Sequence, residues 1–224
     1  LCFPAIVSKR PVWDTFPGAW YSTAVDAVMP NGRTLQVATY HHYRDQWARA
    51  FDLSYEDTSG QTRYCHQTTF GMSERLLGAV VGMHGDDNGL IIPPSIAPIQ
   101  VVIMPVAAHT DSNVMARVSQ LAEHLSGSGI RVHLDDRDLR PGAKHYDWEI
   151  KGVPVRLEIG PRDLASGNCV VSLRTGGKSE VPLDGITQTV THLLDSVSDE
   201  LRVRAHSYAS ELIRPFPGLI QNGT

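Results

Sequence analysis

The spacing of hydrophobic residues changes near the middle of the chain. In the first half, short apolar runs alternate with turn residues, whereas the second half alternates continuous apolar runs with segments of helical spacing. The segment 91–98 between the halves carries three prolines, which lack a backbone donor and prevent a regular helix. The sequence therefore predicts two domains, at 1–98 and 99–205, followed by 206–224 as the start of a further extension that is cut short.

The first half has the pattern of adjacent β-hairpins. Asn31-Gly32 stands between two β-rich runs, and this dipeptide is a strong hairpin signal because both residues tolerate a positive φ. The predicted elements are strands at 20–29, 35–39, 51–56 and 63–69, and helices at 43–50 and 73–84. Adjacent hairpins with few crossovers favour an antiparallel sheet flanked by helices.

The second half has the pattern of βαβ units. Its first strand is a nearly continuous apolar run, which is typical of a strand covered on both faces. The predicted elements are strands at 100–106, 130–134, 153–159 and 169–173, and helices at 112–125, 143–151 and 183–203. This order predicts a mixed sheet with helices packed on it, so the fold class of the whole chain is α/β (α+β).

Composition and charge exclude several classes of protein. The 224 residues are 42% hydrophobic and 20% charged, with a formal net charge of −4. These values exclude a disordered tail, a collagen-like repeat and a coiled coil, and they require any nucleic-acid surface to be local. No apolar run reaches the roughly 18 residues of a membrane span, nothing at the start resembles a secretory signal, and three scattered cysteines favour a reducing compartment. We therefore expect a cytoplasmic protein without a membrane partner.

A group of histidines and aspartates suggests a metal site. The densest set of potential metal ligands is His41, His42, His84, Asp86 and Asp87. Adjacent histidines on a strand point to opposite faces, however, and the sequence has no HxxxH or HExxH pair. A metal-dependent hydrolase is therefore the least favoured function, and we expect no structural metal.

The junction between the strand at 63–69 and the following helix suggests a phosphate-binding site. Arg75 falls in the first turn of the helix, where a guanidinium offers a rigid fork of donors to a phosphate. The alternative is an ordinary helix start, with Ser73 as the N-cap and Arg75 in solvent. These residues alone leave both interpretations open.

Several longer segments resemble one known family, the prolyl-tRNA synthetases of the archaeal and eukaryotic type, which are class II aminoacyl-tRNA synthetases. The resemblance covers nearly the whole chain, from residue 3 to about 205, and includes the third signature motif of that class. The matching segments are Phe16-Pro17-Gly18-Ala19, Leu35-Gln36-Val37-Ala38-Thr39-Tyr40-His41, Gly71-Met72-Ser73-Glu74-Arg75, 84–94, 96–103 and 151–163. The resemblance implies the C-terminal part of the catalytic domain, with part of its antiparallel sheet, followed by a mixed-sheet anticodon-binding domain.

The resemblance also implies an activity and its substrates. The enzyme would be a proline–tRNA ligase that activates proline with ATP, bound as its Mg²⁺ complex, and transfers it to the tRNA for proline. The family's full-length enzyme would be a homodimer. A non-catalytic, synthetase-like RNA-binding factor is the alternative, because folds outlive functions.

The same resemblance assigns roles to particular residues. Arg75 would be catalytic and contact the γ-phosphate, and Phe70 stands where the family usually has a tryptophan. The ATP-binding residues would be Gln36, Thr39, Ser73 and Arg75; the proline-binding residues would be Phe16, His41, Phe70 and Gly71; the anticodon-binding residues would be Lys144, Trp148, Glu158, Arg162 and Asp163. Without the resemblance, a core histidine at His41 and a solvated rim of charge in the second half are the alternatives.

One geometric condition limits these roles. Gln36 and Thr39 are three positions apart, so on a regular strand their side chains would face opposite ways, whereas Thr39 and His41 share a face. Both ATP roles therefore require a β-bulge, or the end of the strand, between Gln36 and Thr39.

The resemblance also identifies parts of the family that the chain does not contain. By this resemblance we expect the first and second signature motifs to lie upstream of Leu1, and we expect this chain not to include the family's zinc-binding C-terminal extension. We therefore expect this chain by itself to be catalytically incompetent.

Overall fold

The computed structural model describes residues 1–107 and 112–215. They form two compact units. The first unit is Pro4–Gly82 with residues 207–215, and the second unit is Leu1–Phe3 with Met83–His206. The domain limits at 98 and 205 stay predictions, and residues 216–224 of the predicted extension lie outside the described residues.

The first unit is built on a four-stranded antiparallel sheet with the strand order β1-β2-β3-β6. A separate two-stranded hairpin, β4-β5, and two helices accompany it. Its elements are β1 (Ala5–Lys9), a 3-10 turn (Val12–Asp14), β2 (Tyr21–Val28), β3 (Thr34–Arg44), α1 (Gln46–Ala50), β4 (Ser54–Glu56), β5 (Thr62–Tyr64), β6 (Gln67–Met72) and α2 (Arg75–His84). The predicted antiparallel sheet is confirmed.

The hairpin at Asn31-Gly32 forms as predicted, with Gly32 at a φ of +79°. The predicted strand at 63–69 is wrong as one element, because it divides into β5 and β6 at Cys65-His66. β5 pairs locally with β4, whereas β6 pairs with β3 in the main sheet. Hydrophobic spacing does not reveal this division, because both pieces are extended.

A bulge in β3 meets the condition for the two ATP roles. Val25 pairs with Ala38, but the next residue, Asp26, pairs with Gln36, so Val37 is an extra residue in β3. An extra residue reverses the alternation of side chains beyond it. The sequence-based requirement for a bulge between Gln36 and Thr39 is therefore confirmed.

The second unit is a five-stranded mixed sheet with the order β11-β10-β9-β7-β8. β7 is parallel to β8 and β9, and the remaining pairs are antiparallel. Its elements are β7 (Val101–Pro105), α3 (Ser112–Gly127), β8 (Val132–Leu134), α4 (Pro141–Ile150), β9 (Val155–Ile159), α5 (Pro161–Ser166), β10 (Asn168–Leu173), β11 (Lys178–Pro182) and α6 (Ile186–Leu212). The prediction of a mixed sheet with helices is confirmed.

Helices cover both faces of this sheet. Ile103 packs with α3 and α6 in the main core, whereas Met104 packs with Trp148 of α4 on the other face. The continuous apolar run of β7 follows from this two-sided burial. The polar edge strand β11 was not predicted, because its Lys-Ser-Glu-Val-Pro sequence lacks an apolar alternation.

Helix α6 continues nine residues beyond the predicted end at 203. Its buried residues, Ile186, Val190, Leu194, Val197 and Leu201, recur every three or four positions and form one stripe. The opposite side is polar. Across the two described ranges, no helix has both the length and the apolar composition needed to cross a bilayer.

Candidate functional site

The first unit has a cleft of about 460 Å³ between the segment that follows β1 and the β2–β3 pair. Four of the residues predicted to bind ATP or proline line it, namely Phe16, Gln36, Thr39 and His41. Its remaining lining residues are Arg10, Trp13, Asp14, Thr15, Pro17, Ser22 and Thr23. The bulge therefore brings Gln36 to the same cavity as Thr39 and His41.

His41 is held by a residue that no motif indicated. The Ser22 hydroxyl lies 2.7 Å from His41 Nδ1 and accepts a hydrogen bond of 3.0 Å from the Phe16 backbone N–H. The Phe16 ring lies 4.8 Å from the imidazole, centroid to centroid. The pairing of Ser22 with His41 depends on the bulge, because the register that starts with Val28 opposite Thr34 would otherwise place Ser22 opposite Tyr40, and no sequence pattern signals this.

Gly71 lies directly opposite Thr39 in the β3–β6 pairing. A Cβ atom at Gly71 would stand 3.1 Å from Thr39 Oγ1, which is closer than a side chain normally approaches. Glycine at this position therefore leaves the Thr39 hydroxyl unobstructed, in agreement with a place for Gly71 beside the predicted pocket.

Phe70 lies on the other face of the sheet. It pairs with Tyr40, and their rings stand 4.9 Å apart. Directly paired residues share a face, and Tyr40 alternates with Thr39 and His41. The phenyl ring is 78% exposed. This register contradicts the expectation that Phe70 walls the same pocket as His41, and Phe16 takes that place.

Arg75 begins α2, and its side chain is exposed. Its Nη1 lies 3.5 Å from the main-chain oxygen of Gln36, which is itself a lining residue of the cleft. The Ser73 hydroxyl accepts a hydrogen bond of 3.3 Å from the Arg75 backbone N–H, as a capping residue does. Arg75 is not itself one of the residues that line the cleft, but within the described ranges it forms no ion pair, so its charge is available to a ligand that extends past Gln36.

In the second unit, two of the predicted anticodon residues hold a buried carboxylate. Asp135 has no exposed side-chain surface; Lys144 Nζ donates to its main-chain oxygen at 2.9 Å, and Trp148 Nε1 donates to its Oδ2 at 2.7 Å. Arg137 donates to both carboxylate oxygens at 2.8 Å. Burial favours the neutral acid, but these hydrogen bonds outweigh it and hold the pKa of Asp135 well below its usual range.

This network corrects the expected role of Trp148. The residue is 4% exposed and packs against Val102, Met104 and Val153, so its ring offers no face on which a base could stack. The position was expected to supply a flat ring at the surface. The indole instead supports Asp135, because a buried carboxylate needs donors close by.

Glu158 lies near the carboxyl end of β9 and lines a cavity of about 690 Å³ with Lys144 and His145. Its Oε1 accepts from Lys178 Nζ at 3.2 Å and lies 3.1 Å from His145 Nε2. In open α/β sheets, ligands bind beyond the carboxyl ends of the parallel strands. Glu158 is therefore placed where the fold favours a ligand.

A second cleft of about 520 Å³ adjoins this pair and contains a cation that sequence patterns did not indicate. His145, Lys178 and Arg156 all line it. Arg156 is only 7% exposed, and its Nε and Nη1 have no hydrogen-bond partner among the described residues. Burial is the main effect that lowers the pKa of Arg156, yet a guanidinium remains protonated in proteins. Glu149 and Glu158 offset part of the charge of Arg156, and Asp86 and Glu149 also line the cleft, so what the cleft offers a ligand is two unused N–H donors of a buried guanidinium.

Arg162 and Asp163 lie in the first turn of α5 and line neither cavity. The Asp163 carboxylate accepts a hydrogen bond of 2.7 Å from the Gly160 backbone N–H, and so it caps the helix. The Arg162 side chain is exposed. The structure therefore groups Lys144 with Glu158 but does not bring Arg162 and Asp163 into the same cavity.

The residues named for a metal site do not converge. His84 Nε2 lies 2.9 Å from the main-chain oxygen of Leu1, and Asp86 forms a bidentate pair with Arg174. Over residues 1–107 and 112–215, no three histidine, cysteine, aspartate or glutamate side chains are grouped as metal ligands. The geometry gives the metal hypothesis no donor set.

Comparisons with known proteins find similarity to an anticodon-binding domain and to proline–tRNA ligases. Residues 100–193 match the family described as the anticodon binding domain. Proline–tRNA ligase from Thermococcus kodakarensis is 50% identical over 216 residues, which are 96% of this chain and 45% of that protein. Proline–tRNA ligase from Methanoregula boonei is 49% identical over 206 residues, which are 92% of this chain and 43% of that protein.

A solved structure shares the fold. Giardia lamblia prolyl-tRNA synthetase in complex with prolyl-adenylate matches with a TM-score of 0.84 at 37% identity, over 91% of this chain and 45% of the Giardia chain. The chain therefore spans slightly under half the length of the relatives that it matches.

Proposed function

We propose that this chain, which is similar to the proline–tRNA ligases over nearly its whole length, supplies part of the active site and the anticodon-binding domain of such an enzyme. The single observation that carries the catalytic part is the bulge at Val37. It brings Gln36, Thr39 and His41 to one cleft, and Arg75 Nη1 lies 3.5 Å from the main-chain oxygen of Gln36.

The chemistry requires two anions to meet. The carboxylate oxygen of proline attacks the α-phosphorus of ATP, the bond to the bridging oxygen breaks, and pyrophosphate leaves, with Mg²⁺ arriving as part of the ATP complex. Donors aimed at the phosphates before the reaction stabilise the charge that develops, because they do not need to reorganise. Arg75 is proposed to hold the outer phosphate, with Gln36 and Thr39 as further contacts and Ser73 as the cap that fixes the start of α2.

Proline offers little to a binding site except a small apolar ring and its charged ends. Phe16 and His41 form an apolar and aromatic corner, which the Ser22 hydroxyl holds in place. Gly71 leaves room beside Thr39. We propose this corner as part of the proline pocket, since small apolar ligands are bound by compact pockets with few polar groups.

The second unit is proposed to bind the anticodon of the tRNA for proline. Unpaired bases are recognised by hydrogen bonds along their edges, while cations contact the phosphates between them. Glu158 offers acceptor oxygens, and Arg156 and Lys178 offer positive charge in the adjoining cleft. Arg162 and Asp163 remain proposed contacts at the neighbouring helix, whereas Lys144 and Trp148 would act by supporting Asp135.

The complete enzyme is proposed to work in the cytoplasm as a homodimer, with proline, ATP and the tRNA as substrates. The relatives are about twice as long as this chain, so catalysis is best measured in a longer protein. A chimera that joins this chain to the remaining part of the Thermococcus kodakarensis ligase provides one. The incompetence of the isolated chain stays a prediction, and proline-dependent ATP–pyrophosphate exchange by the isolated chain would contradict it.

The decisive test is Arg75→Ala in that chimera. We expect exchange to fall by about 100-fold or more, because a cation aimed at the phosphates is lost, with no change in folding since the side chain is exposed. Arg49→Ala is the matched control, because Arg49 is an exposed arginine that contacts Asp45 and the ring of Tyr64 and does not line the cleft. Unchanged exchange in Arg75→Ala would refute the phosphate role, and tRNA binding without any ATP binding would favour the RNA-binding alternative.

A further inference from the structure

We propose that Arg10 and Asp26 fix the side-chain amide of Gln36 in one orientation, so that Gln36 acts only as a hydrogen-bond donor to an acceptor oxygen of the bound nucleotide. Arg10 is in this view a positioning residue that acts through Gln36. The inference deepens the proposed function and rests on it for the identity of the ligand.

The contacts of Arg10 determine which end of the amide faces it. Arg10 Nη2 lies 2.9 Å from Asp26 Oδ1 and 3.4 Å from Gln36 Oε1. A guanidinium has donors and no acceptor, so the amide must turn its oxygen toward Arg10 and its nitrogen away. Asp26 pairs directly with Gln36 across the β2–β3 ladder, on the residue next to the bulge, which brings all three side chains together.

The orientation has a chemical consequence. With Oε1 occupied, the two N–H groups of Gln36 remain for the cleft that this residue lines. The main-chain oxygen of Gln36 lies 3.5 Å from Arg75 Nη1, so Gln36 stands between two arginines. A reversed amide would present an oxygen to the same region and repel a phosphate. In the fixed orientation the side chain of Gln36 presents only donors to the cleft, which favours an acceptor-rich ligand such as a polyphosphate.

The positive charge of Arg10 is already balanced by nearby carboxylates. Asp26 is 8% exposed and pairs with Arg10 at 2.9 Å, and Asp14 approaches Arg10 Nε at 3.5 Å. Two carboxylates around one guanidinium leave it little net charge for a ligand. Its contribution to nucleotide binding is therefore expected through Gln36, in contrast to Arg75, which has no carboxylate partner among the described residues.

A double-mutant cycle separates positioning from direct contact. Arg10→Met and Gln36→Met are each expected to raise the KM for ATP in the exchange reaction of the chimera about 10-fold, with kcat less affected, because one charge-assisted hydrogen bond to the phosphates is lost. The double variant should be no worse than about 10-fold, since Arg10 acts only through Gln36. Arg10→Lys should restore part of the affinity. An additive loss of about 100-fold in the double variant would show that Arg10 contacts the ligand itself and would overturn the proposal.

A spectroscopic measurement on this chain decides the orientation without any ligand. The side-chain NH₂ resonances of Gln36 in the ¹⁵N-labelled protein should move in Arg10→Met and, in part, in Arg10→Lys, while Arg49→Met leaves them in place. Unchanged resonances in a folded Arg10→Met protein would overturn the inference. If the resonances move in Arg10→Met but the unsubstituted chimera binds no ATP, the proposed function is contradicted and the orientation of Gln36 stands.

Discussion

Two arginines in candidate anion clefts, Arg75 in the first unit and Arg156 in the second, are held in opposite ways. Arg75 is exposed and has a single side-chain contact, of 3.5 Å, to a main-chain oxygen. Arg156 is 7% exposed, with two nitrogens that have no hydrogen-bond partner among the described residues. An exposed arginine keeps its hydration until a ligand arrives, whereas a buried, unpaired one is already desolvated and destabilises the fold that holds it. Arg75 is therefore suited to a ligand that binds and dissociates readily, and Arg156 is suited to a ligand that binds tightly.

The second unit also shows the other outcome for a buried charge. Asp135 is as deeply buried as Arg156, but Arg137, Trp148 and Lys144 all hydrogen-bond it. A fully bonded carboxylate contributes to stability, while a charge with free donors is available to a ligand. The contrast between Asp135 and Arg156 separates a structural charge from a functional one within the same sheet.

We expect the largest change in the free energy of unfolding from substitution of Asp135. Asp135→Asn should lower the free energy of unfolding by about 3 kcal/mol, because it leaves the buried Lys144 ammonium without its counter-ion. Urea denaturation followed by circular dichroism measures this. Asp147→Asn is the control, since it removes an exposed partner of the same Arg137 and should cost far less. Equal losses in the two variants would show that burial does not distinguish them.

Substitution of Arg156 should change the free energy of unfolding in the opposite direction. Arg156→Met is expected to raise the free energy of unfolding by about 1 kcal/mol, because it removes a desolvated charge. The same change should weaken binding of the tRNA for proline about 10-fold, as measured by filter binding at fixed salt. Arg202→Met, an exposed arginine on α6 paired with Asp199, is the matched control and should change neither quantity. A destabilised Arg156→Met protein with unchanged RNA binding would reverse the assignment.

The pH dependence of stability should follow Asp135 as well. Its pKa is lower in the folded state than the usual value near 4, so the stabilisation is fully present above about pH 4 and is lost as the pH falls further. Unfolding measured between pH 7 and pH 3 should show this decline. The decline should be shallower in Asp135→Asn, and an identical slope in both proteins would assign it to other carboxylates, such as Asp86.

The smallest expected effect tests the two faces of the sheet in the first unit. Phe70→Ala should change the KM for proline by about twofold at most, since the ring is exposed on the face away from His41. Phe16→Ala should raise the KM for proline clearly more, because its ring lies against the imidazole of His41. Exchange kinetics of the chimera provide both numbers, and the reverse order would return Phe70 to the pocket.

Several features of the fold and the site could be predicted from the chain because they depend on neighbours in sequence. The Asn31-Gly32 turn, the buried run of β7 and the stripe of α6 are local patterns, and all three are present. The roles that the resemblance implies for Gln36 and Thr39 required a bulge or the end of the strand between them, and the structure has the bulge. The division of the segment 63–69 could not be predicted, because strand partners are chosen at long range.

By itself, the amino-acid sequence determined the spacing of hydrophobic residues in each segment, the likeness to proline–tRNA ligases and the identity of most candidate site residues. Only the tertiary structure decided which polar atoms meet: Ser22 with His41, Arg10 with Gln36 and Asp26, Trp148 with Asp135. It also decided that Phe70 faces away from His41 and that two nitrogens of the buried Arg156 have no hydrogen-bond partner in the described part of the chain. The reason is physical. Backbone period and hydrophobicity are local properties, whereas hydrogen-bond partners and desolvation depend on strand register and on which elements cover one another, and these are set by packing across the whole unit.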